Sequence, residues 1–258
     1  GRTAKGMRMF EDLKGKTALI TGASGGLGAH FAELLAGAGA HVIVAARRAA
    51  ALEELCERIA AAGGKAEAVS LDVTQPEAIT ECFTGLALAP QIVVNNAGIS
   101  MPSPALDITA EDWDRVVDTN LRGVFLVAQA AARRMRQAKH GGSIINVASI
   151  LGVRVAGAVA SYAASKAGVV QLSSALALEW ARYGIRVNAI CPGYFETEMN
   201  RDFFASPPGE ALVKRIPQRR LGHMQDLDGP LLLLASDAAA YITGAAIPVD
   251  GGHLVSSL

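Results

Sequence analysis

TGASGGLG, residues 21–28, closes the short β-rich run TALIT (17–21) and leads into an amphipathic stretch near 27–38. Gly22, Gly26 and Gly28, with Gly25 as an extra, fall at GxxxGxG spacing; the third glycine of the commoner GxGxxG would fall on Phe31. Glycine lets the backbone turn tightly and lets a pyrophosphate approach with no Cβ in the way. The helix N-terminus beyond the turn offers free N–H groups and a partial positive charge. A glycine cluster alone is a weak signal. After the first strand of an α/β chain it reads as a dinucleotide cradle, with Ser24 and Leu27 joining the three glycines as cofactor-binding candidates.

The chain around this turn has the required rhythm. Candidate strands are 17–21, 41–46, 66–71, 92–96, 143–149, 185–190 and 245–249, and helical segments lie near 27–38, 49–62, 76–86, 110–138, 160–183 and 225–238. Alternating helices and near-continuous apolar strands predict a parallel sheet covered on both faces, and right-handed crossovers make it a doubly wound, Rossmann-type α/β sheet. With 258 residues, 51% hydrophobic and 19% charged, the chain fits one domain with a sizeable core. The 24 basic and 24 acidic residues balance, which favours neither nucleic acid nor a membrane surface as partner. No apolar run approaches the ~18 residues of a membrane span. Cys56, Cys82 and Cys191 show no metal-ligand spacing and read as reduced thiols of a cytoplasmic protein, with no metal site. Residues 1–6, ahead of Met7, read as an addition, 1–12 as an N-terminal extension, and 13–258 as the single domain.

The second strand carries a specificity signal. HVIVAA (41–46) ends in Ala46 and is followed by Arg47 and Arg48. An NAD site places Asp or Glu there to hold the ribose hydroxyls. A carboxylate would repel the 2′-phosphate of NADP, whereas a guanidinium binds it in a forked geometry. The reading is NADP(H) preferred and NAD(H) possible, with Arg47 better placed than Arg48.

SYAASK (161–166) puts Tyr162 and Lys166 on one helical face. A free tyrosine, pKa ~10, is a poor acid at neutral pH, and a nearby ammonium would draw it down. Ser149 ends the strand SIINVAS (143–149), at the sheet edge that faces a ligand crevice. Its hydroxyl is suited to bind the same carbonyl oxygen as Tyr162. Asn120 lies mid-helix in TAEDWDRVVDTNLRGVF, a position that leaves it exposed or employed, behind the capping-box-like Thr109-x-x-Asp112.

With TGASGGLG, LDV (71–73), NNAG (95–98), Asn120, Ser149, SYAASK, PGYFET (192–197) and VDGG (249–252), the sequence resembles the short-chain dehydrogenase/reductases of about 250 residues, from about Leu13 to the C-terminus. The resemblance implies a seven-stranded parallel sheet in the order 3-2-1-4-5-6-7. It implies Tyr162 as proton donor or acceptor, Lys166 on the nicotinamide ribose, Ser149 on the substrate oxygen and Asn120 on a proton-relaying water. Asp72 and Val73 would sit against adenine, and Asn95, Ala97 and Gly98 along the adenosine ribose. Pro192, Gly193, Phe195 and Thr197 would embrace the carboxamide. It also implies a homotetramer built through segments 110–138 and 160–183 and the last strand. The chain departs from the family at Gln91, where an acid is usual, at Gly25, where many NADP-preferring members carry Arg, and at Gly229-Pro230 in the late helix.

The substrate loop is placed at about 194–224, and candidate pocket walls are Ser100, Met101, Ile150, Leu151, Val155, Val159, Tyr194, Met199 and Phe203. That mostly apolar list favours an apolar or aromatic ketone interconverted with a secondary alcohol; Arg154 is the one candidate cation for a substrate carboxylate and is read instead as solvated. Two other substrates stay open. A 3-oxoacyl thioester on acyl carrier protein would need a basic docking patch, and RRMRQAK (133–139) lies where cations offset a helix dipole. A sugar or polyol fits the apolar list less well. A catalytically idle dinucleotide sensor would have lost Tyr162, Lys166 or Ser149, and all three are present.

Overall fold

A computed structural model of the chain describes residues 10–197 and 200–256. Its strands are β1 Thr17–Thr21, β2 His41–Ala46, β3 Lys65–Ser70, β4 Ile92–Asn95, β5 Gly142–Val147, β6 Ile185–Pro192 and β7 Ala246–Val249. They form one parallel sheet in the order β3-β2-β1-β4-β5-β6-β7, as the resemblance implied. The helices are α1 Gly26–Gly37, α2 Ala49–Ala61, α3 Pro76–Gly85, α4 Ala110–Val117, α5 Gly123–Ala138, α6 Ala160–Trp180, α7 Arg201–Phe204, α8 Pro207–Val213 and α9 Asp228–Ala235.

Strand alternation sorts the core into two layers. Ala18, Ile20, Val42, Val44 and Val94 pack with Phe31, Leu35, Leu52, Leu55 and Leu231, from α1, α2 and α9. Leu19, Ile43 and Val93 point the other way, onto Ile79, Phe83, Val127, Met135 and Leu176, from α3, α5 and α6. Covered on both faces, the central strands are apolar at nearly every position. β3 is the exception: it is an edge strand, Lys65 and Glu67 are exposed, and such charges discourage pairing with another chain.

Two predicted helices differ. The segment 110–138 is interrupted by a π-helical turn at Asp118–Arg122, which separates α4 from α5. The late segment begins with a 3₁₀ turn, Met224–Leu227, and α9 carries Pro230 in its first turn, where the missing N–H has no intrahelical partner to lose. Thr109 caps α4 through its Oγ1, which accepts from Asp112 N at 3.1 Å. Gln91 takes a structural place: its Oε1 accepts from Thr17 N at 2.7 Å and secures the start of β1.

The excursion after β6 is closed at its neck. Gly222 N donates to Tyr194 O at 2.9 Å and Glu196 N to Gly222 O at 3.0 Å, so α7 and α8 ride on a pinched loop. The C-terminal ends of β1, β2, β4, β5 and β6 all open toward one edge of the sheet, and the candidate residues follow them.

Candidate functional site

The glycine turn is shaped by its neighbours. Gly22 has φ +62°, and a Cβ there would stand 2.8 Å from Ala97 Cα. A Cβ on Gly28 would stand 2.6 Å from Asn96 Nδ2 and collide with the Gly22 carbonyl. These glycines let the NNAG segment close on the turn, where Thr21 Oγ1 accepts from Asn96 N and Ala97 N, both at 3.1 Å. Gly26, the first residue of α1, has φ +54° and nothing within 4 Å of its Cβ position. The turn presents bare backbone and a helix N-terminus, the donor set that a pyrophosphate needs.

Of the two arginines after β2, the structure brings Arg48 to the turn. Its Nη2 donates to Ser24 Oγ at 3.1 Å and lies 3.9 Å from the Cβ position of Gly25. Arg47, which the sequence favoured, is exposed and makes no hydrogen bond or ion pair among the described residues. Arg48 stands in extended conformation just before α2, which swings its side chain back over the turn. A guanidinium thus reaches the glycine turn from the strand end.

Asp72 Oδ1 accepts from Thr74 N at 2.9 Å and Thr74 Oγ1 at 2.7 Å, and Val73 is buried beside it. Asn95 turns inward: its Nδ2 donates to Asn146 Oδ1 at 2.9 Å and Val124 O at 3.3 Å, a scaffold role for its side chain. Ala97 is half-buried and Gly98 exposed.

The four catalytic candidates converge. Ser149 lies just beyond β5, buried, with Oγ accepting from Leu151 N at 3.0 Å. Its hydroxyl is close enough to the Tyr162 phenol to favour the phenolate. Lys166, one turn along α6, is buried; its Nζ donates to Val147 O at 2.8 Å and lies 5.6 Å from the centre of the Tyr162 ring. Asn120 is fully buried within the π turn and donates to Ser165 Oγ at 3.1 Å. Ser165 Oγ in turn donates to Tyr162 O at 2.7 Å. The absence of a Cβ on Gly98 leaves room between Asn120 Oδ1 and Lys166 Nζ, which would stand 3.3 and 3.4 Å from it.

Burial governs the acidities here. It pushes the Tyr162 phenol above its ordinary range, with the Ser149 hydroxyl opposing and Tyr194 adding to the rise, so the downward shift expected from Lys166 is not found. Burial also brings Lys166 down to about 8.

Pro192, the last residue of β6, is buried, and Gly193 packs so tightly on the VDGG segment that a Cβ would stand 2.8 Å from Asp250 Cα. Phe195 points into the core, its ring against Gly222, so its backbone alone faces outward. Thr197 N donates to Asn200 Oδ1 at 2.8 Å.

The pocket candidates scatter more. Met101, Leu151, Val159 and Tyr194 are half-buried, and Ser100 is exposed. Ile150 faces the core at 2% exposure, whereas Val155, at 85%, stands in solvent beyond the wall it was assigned to. Phe203 is half-exposed, its ring edge-on to Phe204 at 5.1 Å. Met199 lies outside the described residues. Arg154 is not solvated as expected: its Nη1 donates to His253 O and to Ser256 Oγ, the latter at 2.8 Å. The sequence reading missed His253, whose ring lies 5.6 Å from Tyr194; its position directly after VDGG was the available signal.

A family model described as enoyl-(acyl carrier protein) reductase matches residues 22–253. The 3beta-hydroxysteroid dehydrogenase 1 of Eggerthella lenta is 41% identical over 249 residues, 95% of each chain. The crystal structure of a short-chain type dehydrogenase/reductase from Mycobacterium marinum superposes with TM-score 0.88 at 44% identity, covering 95% of this chain and 97% of that one. That of a gluconate 5-dehydrogenase from Burkholderia cenocepacia, in complex with NADP and tartrate, gives 0.90 at 35% identity, covering 96% and 99%.

Proposed function

Since the chain belongs to the short-chain dehydrogenase/reductase family, we propose that it interconverts a ketone and a secondary alcohol with NADP(H), as a carbonyl reductase or alcohol dehydrogenase. The observation that carries this reading is the buried Lys166 ammonium, 5.6 Å from the centre of the Tyr162 ring and bonded to Val147 O at the end of the strand that Ser149 follows. The dinucleotide, when bound, supplies or accepts the hydride. The chain's residues fit it: bare backbone at Gly26, α1's N-terminus, and the Arg48 guanidinium over Ser24 for a ribose 2′-phosphate. Bound NADP in the Burkholderia relative supports the same cofactor here.

Tyr162 keeps its proton at neutral pH because burial disfavours the phenolate. In reduction it gives that proton to the carbonyl oxygen, while Ser149 donates a hydrogen bond to the same oxygen. Lys166, with a pKa of about 8, is poised to return a proton toward Tyr162. In oxidation each transfer reverses. Met101, Leu151, Val159 and Tyr194, each half-buried, are the side chains assigned to the apolar part of the substrate.

The test is loss of reduced-nicotinamide absorbance with NADPH and NADH, over alkyl and aryl ketones, oxo acids, sugars and 3-oxoacyl thioesters. Faster turnover of ketones with NADPH is expected. Turnover confined to thioesters would replace this reading with the acyl-carrier one, and NADH preference would remove Arg48 from the cofactor site.

A further inference from the structure

Beneath the catalytic groups runs a chain of buried polar side chains, and the hydride-transfer reading gives no task to Asn146 or Ser173 within it. Asn95 and Asn146 are register partners on β4 and β5. Their side chains stand beside each other on the sheet face that α5 and α6 cover. Asn95 Nδ2 donates to Val124 O at 3.3 Å, near the start of α5, and to Asn146 Oδ1 at 2.9 Å. Asn146 Nδ2 donates to Ser173 Oγ at 2.9 Å, and Ser173 Oγ donates to Val169 O at 2.8 Å, both on α6. All three side chains are buried. Apolar residues would fill this space without the need to match every polar atom. What the hydrogen bonds add is direction. Apolar surfaces let a helix slide along a sheet, whereas a bond of defined length and angle does not.

The members of the chain lie at short steps from the site. Asn146 precedes Ser149 by three residues. Ser173 follows Lys166 by seven, two helical turns, and so shares its buried face of α6. Among the described residues, two side-chain hydrogen bonds tie α6 to β5, and they start from adjacent strand residues: Lys166 Nζ to Val147 O, and Asn146 Nδ2 to Ser173 Oγ. The first is made by a reacting group. The second holds while protons move.

We propose that Asn146 and Ser173 are positioning residues, whose hydrogen bond fixes where α6 rests on β5 and thereby how far Tyr162 and Lys166 stand from Ser149. Both are buried too deeply to meet substrate and act through the groups that do. The inference rests on the ketone–alcohol reading and deepens it.

The experiment compares Ser173→Ala, Asn146→Leu and the double variant with the parent, with Ser143→Ala as control. Ser143, on the opposite face of β5, bonds its buried hydroxyl to Leu234 O at 2.7 Å, on α9. Rates are read with NADPH and a ketone that the parent reduces, below each variant's melting temperature. Both singles and the double are expected to lose about 10- to 100-fold in kcat, with KM for NADPH within about threefold. Urea melts should show the singles destabilised and the double recovering part of that loss, since removing both partners strands fewer polar atoms than removing one. Its kcat should stay low all the same. Ser143→Ala should lose stability and keep kcat within about twofold of the parent. For a readout without substrate, the chain is made with 3-fluorotyrosine at its four tyrosines, and the Tyr162 fluorine resonance is assigned by Tyr162→Phe. In the double variant that resonance is expected to shift, with those of Tyr183 and Tyr241 unmoved. A parental kcat in the double variant, an equal loss of kcat in Ser143→Ala, or an unshifted Tyr162 resonance overturns the proposal. A parent that reduces no ketone strikes the hydride-transfer reading instead, and the resonance then decides this inference alone. If the double variant does not fold, Ser173→Ala, which lacks one hydroxyl, is scored by the same two criteria.

Discussion

Asn120 clasps the peptide of Ile99 at both of its polar atoms. Its Oδ1 accepts from Ile99 N at 2.8 Å and its Nδ2 donates to Ile99 O at 2.8 Å. The π turn makes this possible, because the extra residue rotates the side chain out of the helical register and into the core. The segment after β4 is thereby locked beside Lys166. Asn120→Ala removes the partners of both backbone polar atoms of Ile99, which lies half-buried. We expect a loss of about 2–4 kcal/mol in urea unfolding and a fall in kcat larger than any change in KM for NADPH. A variant with unaltered stability would remove the clasp from the account.

Lys166 sits at odds with its surroundings in a way that pH exposes. Its folded pKa of about 8 lies below the ordinary 10.5, so between those values the folded chain binds fewer protons than the unfolded one. Stability contributed by this group therefore rises with pH through that window and is least below about 8. Lys166→Met should be more stable than the parent by about 1–2 kcal/mol at pH 7, after allowing for the lost bond to Val147 O, with the difference shrinking toward pH 10. The same variant should lose at least about 100-fold in turnover. Urea melts at the two pH values check the first claim and steady-state rates the second.

Much of this was legible in the sequence because it rests on local pattern. Strand positions such as Val42–Ala46 are apolar on both faces, and glycines such as Gly22 and Gly28 are required by backbone contact. Tyr162 and Lys166 share a helical face by spacing alone. What was not legible depends on contacts between distant segments. Nothing in VIVAARR distinguishes Arg48 from Arg47; that depends on how the entry to α2 crosses Ser24, 24 residues away. The π turn carries no propensity signal, since Asn120 is held by Ile99, and Arg154 looked solvated because its partners lie about a hundred residues later.

The glycine turn makes a paired prediction. Gly28→Ala drives a Cβ into the Gly22 carbonyl and to 2.6 Å from Asn96 Nδ2, both fixed by neighbouring strands. We expect a cost of about 2–4 kcal/mol and no measurable dinucleotide binding. Gly26→Ala meets open space and bears only the strain of φ +54°, about 1–2 kcal/mol, so it should fold and lose affinity for the dinucleotide selectively. Thermal melts with and without NADP⁺ distinguish the two.

Exposed apolar side chains on α6 and near the C-terminus support the proposed tetramer. Leu178 is 84% exposed, Val255 86%, and Tyr241 is fully exposed. The proposed assembly through α6 and the last strand would cover side chains of this kind. Light scattering at micromolar concentration should return about four times the 26.7 kDa chain mass. Leu178→Arg should lower that mass, and a monomeric parent would refute the assembly.

Arg48 provides the most discriminating test of the cofactor assignment. Its Nη2 hydrogen bond to Ser24 Oγ holds a fixed positive charge beside the glycine turn, while Ala46 leaves the end of β2 without a carboxylate. A charge-assisted contact with a 2′-phosphate is worth about 1.5–3 kcal/mol, so Arg48→Ala should raise KM for NADPH by about 10- to 100-fold. NADH has no phosphate there, and its KM should stay within about threefold. Arg47→Ala should change either value little, since that side chain is exposed and has no partner among the described residues. The reverse ranking of the two arginines would mean that the strand end rearranges around the dinucleotide, with Arg47 supplying the contact. Equal losses with NADPH and NADH would instead mean that Arg48 acts by shaping the turn through Ser24.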